Sequence, residues 1–362
     1  MKVRIGLLIG ALALAFVATP AVAGPRIDPA QATKAKKSVD QGLHFLRYKQ
    51  ETNGSYGNHV GLTAMVVLAF AESHRAYTDG DGPFVSKAAT WLVAQARGDG
   101  AITGDATPTY NTALAIMALH ALDKVKFKAQ IEAGQKFLVK FQSDEDQKYA
   151  KTDKFYGGIG YGGDERPDLS NLQYAIEALK DTDYDPKSDV WAKAQMFVSR
   201  CQNRSESNDQ AWAANDGGFI YAPGQSSAGE TNSYGAMSFA GLKSLLFTQA
   251  SKDDPRVKAV WGWISKNYDF NQHPGMGTTS YYYYLQTAAA GLEAFGEQFV
   301  PDERGRKRDW AVDLLTKLLS LQVADGSWKN DNPRYWESNP VLATARAVTS
   351  INHVLRATGV HK

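Results

Sequence analysis

Cysteine is almost absent from this chain: Cys201 is the only one in 362 residues. No internal disulfide can form, so a cross-linked scaffold is excluded and the fold rests on packing. An excess of charge of one sign is missing too. Forty Lys and Arg against 38 Asp and Glu leave a net charge of +2, which points to neither a nucleic-acid partner nor an anionic membrane surface. No segment beyond the N-terminus approaches the ~20 apolar residues that an integral span needs. The longest candidate, Gly61 to Ala71, reads as a buried helix. The N-terminus itself has basic Lys2 and Arg4, an apolar run from Ile5 to Val17, and Ala21-Val22-Ala23 before Gly24. That pattern predicts a cleaved export signal over residues 1–23, and hence a periplasmic or extracellular protein with one domain over 24–362.

What the chain does have is a repeat. Val39, Gly42 and Leu46 recur at helical spacing, as do Val190, Ala194, Val198 and Cys201, and again Ala311, Leu314, Leu318 and Leu321. Six such one-sided stripes predict amphipathic helices with an inner and a solvent face. Five of the six end in glutamine: Gln50, Gln95, Gln142, Gln202 and Gln322. A glycine turn follows each time, as in Asn53-Gly54, Asp99-Gly100, Asp216-Gly217 and Asp325-Gly326. Then comes a second helix rich in Ala, Gly and Thr, such as Thr112 to Leu119, apolar or small nearly all round and so buried on most sides. Six helix pairs spaced by about 45–60 residues predict an all-α repeat architecture. Six copies with unusually buried second helices favour a closed ring, an α6/α6 toroid, over an open solenoid.

Gln322-Val323-Ala324-Asp325-Gly326-Ser327-Trp328 is similar to the Q-x-x-D-G-S-W repeat of squalene–hopene cyclases. More broadly, the chain resembles the prenyltransferase/squalene oxidase repeat proteins. Gly157 to Asp164, Asp168 to Asn171, Asp216 to Tyr221 and Ser233 to Met237 look like an exported bacterial subgroup. The resemblance covers nearly all of residues 24–362 and implies an α/α toroid. It implies no single activity, because the superfamily hosts several. The Asp-x-Asp-Asp acid of the cyclases is missing; Asp181-Thr182-Asp183-Tyr184-Asp185 has the wrong spacing and reads as a solvated turn. Cys201 falls in the apolar column of an outer helix and reads as a small buried hydrophobe, which removes the zinc site of protein prenyltransferases. Phe295-Gly296-Glu297-Gln298 lacks the cysteine of a thioester motif. No cofactor or metal site is expected.

The loops that lead into the second helices are rich in tyrosine and charge, and in such a ring they share one mouth. Tyr110, Tyr156, Tyr161, Tyr221, Tyr234, His273, Tyr281, Tyr284, Tyr335 and Trp336 are the candidate ligand-binding residues. Asp164, Glu165, Arg166 and Asp168 are the candidate catalytic ones. The plainer reading is that Asp168, Ser170, Asn111 and Glu337 cap helices while the tyrosines pack loops. Inner-helix N-termini gathered at one end favour an anionic ligand. Glu177 and Arg346 share one alignment column inside the buried helices, which places them either at a wet lumen or at a helix edge. The expectation is an exported toroid that binds a small molecule, isoprenoid-like or glycan, or a protein partner, without standard cyclase or zinc prenyltransferase chemistry. The alternatives are a polysaccharide lyase or hydrolase, with a tyrosine facing an arginine as its base, and a divergent enzyme acting on an isoprenoid.

Overall fold

The computed structural model describes residues 27–104, 106–162 and 166–361. The predicted export signal and Asp164 and Glu165 lie outside the described residues. The amphipathic segments form α1 (Pro29–Tyr48), α3 (Pro83–Ala94), α5 (Lys128–Lys140), α7 (Val190–Arg200), α9 (Pro255–Lys266) and α11 (Trp310–Leu321). The small-residue segments form α2 (Val60–Ala71), α4 (Pro108–Asp123), α6 (Leu169–Asp181), α8 (Gly235–Phe247), α10 (Tyr281–Phe295) and α12 (Pro340–Ala357). Each even-numbered helix packs on the next, and α12 packs back on α2 to close the ring. The odd-numbered helices lie outside. The chain is an α/α toroid, with one departure between α10 and α11: a short antiparallel hairpin, β1 (Phe299–Pro301) with β2 (Lys307–Asp309).

The composition of the inner helices explains their place. Residues 60–70 of α2 are all buried, so this helix has almost no polar face to offer water. Small residues let inner and outer helices approach closely: a methyl group on Gly134 of α5 would sit 2.4 Å from Ile116 of α4. Cys201 is fully buried in the apolar core, and burial pushes its thiol pKa well up.

The repeated glutamines fasten neighbouring pairs. Gln322 donates through Nε2 to Gly326 O in its own loop at 2.9 Å and to Ser38 O of α1 at 3.0 Å. Gln142 bridges Gly157 O and Val190 O of α7, both at 3.0 Å. Gln202 bridges Gly217 O and Arg256 O of α9, and Gln50 bridges Gly54 O and Phe84 O of α3. The loop glycine is needed twice over. Gly157 has φ +84°, and a Cβ there would lie 1.8 Å from Lys193 O on the next outer helix. The following aromatic or apolar residue then hands its N–H to the inner helix: Trp328 N donates to Thr344 Oγ1 at 3.0 Å, and Ile102 N to Thr112 Oγ1 at 2.9 Å. Gln95 is the exception, since its amide turns back to Trp91 O of its own helix at 3.3 Å.

Candidate functional site

The column that holds Glu177 and Arg346 faces the centre of the ring. Leu68, Met117, Glu177 and Arg346 line one small compartment there, about 60 Å³ in volume, together with Leu114, Tyr174 and Gln286. Stepping back three or four residues along each inner helix reaches a larger cavity of about 720 Å³ at the mouth. Leu62, Met65, Tyr110, Met237, Tyr283, Leu342 and Arg346 contribute to its wall. Met65 and Arg346 belong to both compartments. A volume of this size suits a drug-sized organic molecule.

The loops complete the wall. Tyr161, Tyr221, Tyr234, His273, Tyr335 and Trp336 all line the mouth cavity, as does Tyr110. Three candidate tyrosines lie elsewhere. Tyr156 is buried behind the loop and donates to Glu145. Tyr281 and Tyr284 are buried and donate to Phe270 O and Asp269 O, each at 2.5 Å. Successive helical residues are turned by about 100°, so of the four tyrosines that open α10 it is Tyr283 that faces inward. Its Oη meets Ser170 Oγ at 2.8 Å and accepts from Gln173 Nε2 at 2.9 Å. Tyr335 and Trp336 form an exposed rim, both with φ near +60°, a conformation bulky side chains rarely hold. The Trp336 ring sits edge-on to His59 at 5.4 Å.

Arg166 is exposed and stands outside the cavity wall. Asp168 is the N-cap of α6: its carboxylate accepts from Asn171 N at 2.8 Å and from Asn171 Nδ2 at 2.6 Å. Burial pushes its pKa up to about 6 against those bonds. Asn111 donates to Thr103 Oγ1 instead of capping. Two caps reach across from a neighbouring pair. Glu337 accepts from Tyr282 N at 3.1 Å and Tyr283 N at 2.7 Å, and so closes the start of α10. His273 accepts through Nε2 from Ala236 N at 2.9 Å at the start of α8, while its Nδ1 donates to Thr279 O. Burial lowers the His273 pKa to about 4. His59 and Asn339 cap α2 and α12. Five of the six inner-helix starts are therefore already occupied, which leaves little of the predicted dipole attraction for a ligand.

Arg346 is the residue that sequence reasoning left open. It is only 8 % exposed. Its Nη1 donates to Gln286 Oε1 at 2.8 Å and, weakly, to Tyr174 Oη at 3.4 Å. Nη2 reaches Tyr110 Oη at 3.5 Å, and the guanidinium lies 4.9 Å from the centre of the Tyr283 ring. Beyond it the lumen ends in ion pairs: Lys243 with Glu177 at 2.6 Å, and Arg356 with Glu293 at 2.9 Å and Glu72 at 3.3 Å. Burial opposes ionisation of Glu293, but His353 and Arg356 outweigh it and hold its pKa near 2.

No protein-family model matches the chain, and no curated protein matches it. Solved structures do. Its α/α-toroid fold is shared with a terpene cyclase and a glycosidase. A type II terpene cyclase, MstE from Scytonema, in complex with merosterolic acid A, superposes with a TM-score of 0.56 at 13% identity, covering 91% of this chain and 99% of that one. A glycosidase variant in complex with glucose superposes with a TM-score of 0.51 at 14% identity, covering 93% and 100%. At such identities the likeness is one of fold alone.

Proposed function

We propose that this protein is an exported toroid that binds a small organic molecule in the cavity at the mouth of its ring. The observation that carries the reading is the cavity itself. It has the volume for one ligand, walls of tyrosine, methionine and leucine, and a few convergent polar groups. Standard cyclase chemistry would need a strong acid facing that space. Among the described residues its one carboxylate is Glu337, which is committed to the start of α10. The tyrosines suit binding better than base catalysis, because burial raises the pKa of Tyr110 and of Tyr174. They stay protonated near neutral pH and act as hydrogen-bond donors. Export rests on residues 1–23, and N-terminal sequencing of the secreted chain tests it by finding Gly24 first.

The direct test uses N-phenyl-1-naphthylamine, a neutral aromatic probe that fluoresces in apolar surroundings. Saturable one-to-one binding is expected, and Leu342→Trp, which crowds the cavity wall, should weaken it while the fold survives. Equal binding by the crowded variant would refute a lumenal site. A second reading has one observation behind it. Asp168, its pKa raised by burial to about 6, lies close enough to Tyr221 of the cavity wall for the two to interact electrostatically, an arrangement able to pass a proton to a glycan. Turnover of a uronic-acid glycan that vanishes in Tyr221→Phe would favour that reading over simple binding.

A further inference from the structure

We propose that Arg346 anchors an acidic group, so that the ligand of the mouth cavity is an organic anion: a carboxylate or sulfonate on an aromatic or otherwise apolar body. The proposal rests on the reading of the cavity as a binding site. It starts from a comparison among buried cations. Three stand out among the described residues: Arg200, Lys243 and Arg346. Arg200 forks onto Asp209 with bonds of 2.6 and 2.8 Å. Lys243 meets Glu177 at 2.6 Å. Arg346 has no carboxylate within ion-pair distance among the described residues; its partners are an amide, two phenols and a ring face.

A guanidinium has five N–H donors. Here one bond is short, two are near the limit, and Nε is buried with no partner at all. Burying a charge is costly unless it is paired and hydrogen-bonded, and loss of water is not made good by one amide. Burial does not switch the group off, because guanidinium stays charged in proteins. The unmet donors sit in a side chain that walls both lumenal compartments. A planar two-oxygen anion would supply acceptors that the guanidinium lacks. Tyr110 and Tyr174 would turn from weak acceptors into donors towards the same anion. The helix starts do not compete for it, since Glu337, His273, Asp168, His59 and Asn339 already cap five of them.

The test uses two probes that share a skeleton. 8-Anilinonaphthalene-1-sulfonate is N-phenyl-1-naphthylamine with a sulfonate added, and both report by fluorescence. The folded full chain should bind the sulfonate about 10- to 100-fold more tightly, the span expected for a charge-assisted hydrogen-bonded pair. In Arg346→Gln that ratio should collapse to about 1; in Arg346→Lys it should fall part-way, because a point charge keeps the attraction and loses the fork. Using the ratio removes any change in cavity packing common to both probes. A native ratio near 1 overturns the proposal while leaving the cavity reading intact. A high ratio that persists in Arg346→Gln, or in Arg346→Lys should the first variant not fold, also overturns it. Binding of neither probe to the native protein defeats the cavity reading, and the proposal with it.

Discussion

Replacing one glutamine of the repeat should expose how the ring is fastened. Gln202 is fully buried, and its Nε2 holds Gly217 O and Arg256 O, both at 2.9 Å. Its Oε1 has no partner, so Gln202→Ala loses two donor interactions and nothing else of polar value. Each buried acceptor deprived of its donor costs about 1–3 kcal/mol, less where another donor remains. We expect a loss of about 2–4 kcal/mol in total. Gln95 occupies the same place in its pair, but among the described residues its side-chain amide bonds only Trp91 O of its own helix, at 3.3 Å. Gln95→Ala should therefore cost about 0.5 kcal/mol or less. Urea unfolding followed by far-ultraviolet circular dichroism reads both. With an m-value of about 3 kcal/mol/M, the Gln202 variant should shift the midpoint down by about 1 M and the Gln95 variant hardly at all. Equal shifts would mean that the bridge to the next outer helix carries no stability, and the clasp reading would be wrong.

Gly157→Ala should be far worse than Gly305→Ala, although both glycines have positive φ. The first would drive a methyl group to 1.8 Å from Lys193 O, whereas nothing lies within 4 Å of the second; we expect a failure to fold against a cost of about 1 kcal/mol, compared by soluble yield and melting temperature. His273 should make the ring acid-sensitive. Its folded pKa near 4 lies below the ordinary ~6.5, so between those values the unfolded chain binds more protons and stability falls as pH falls, by up to about 3 kcal/mol. Asp168, raised to about 6, works the opposite way between pH 6 and about 4. The readout is thus the stability of the native protein minus that of His273→Gln, which should fall as pH drops across that window; a constant difference would rule out titration of His273.

The period was legible from residues alone because each pair repeats a local pattern: a one-sided stripe, a glycine turn, then a helix with no polar face. Gln322 to Trp328 announced the clasp, yet its partner Ser38 lies 284 residues away, and no local pattern carries that. The same limit hid the caps that cross between pairs. Glu337 closes a helix 54 residues upstream, and His273 one 37 residues upstream. The lumenal face was illegible for a different reason. α10, buried on every side over residues 287–292, has no polar stripe to mark a direction, so periodicity cannot tell Tyr283 from Tyr281 or Tyr284. The charged column left lumen and helix edge open, and the structure places it at the lumen: three residues before Glu177 is Tyr174, and four before Arg346 is Leu342, both lumenal.

The sign of the lumen weighs between the remaining functions. A toroid that ionises or protonates an alkene must put a strong acid or anionic groups beside a developing carbocation. Among the described residues most acids near the lumen have other commitments, Asp181 of the inner compartment excepted. Glu177, Glu293 and Glu72 are ion-paired at the far end, and Glu337 serves the start of α10. The charged group left without an ionic partner at the junction of the two compartments is a cation, Arg346. A fixed positive charge at that point raises the energy of any carbocation formed near it and lowers that of a bound anion. At an effective dielectric constant of about 20, a unit charge 4 Å away is worth about 4 kcal/mol in either direction. The same scaffold that could stabilise a cation with carboxylates is here biased the other way, towards holding an acid in place.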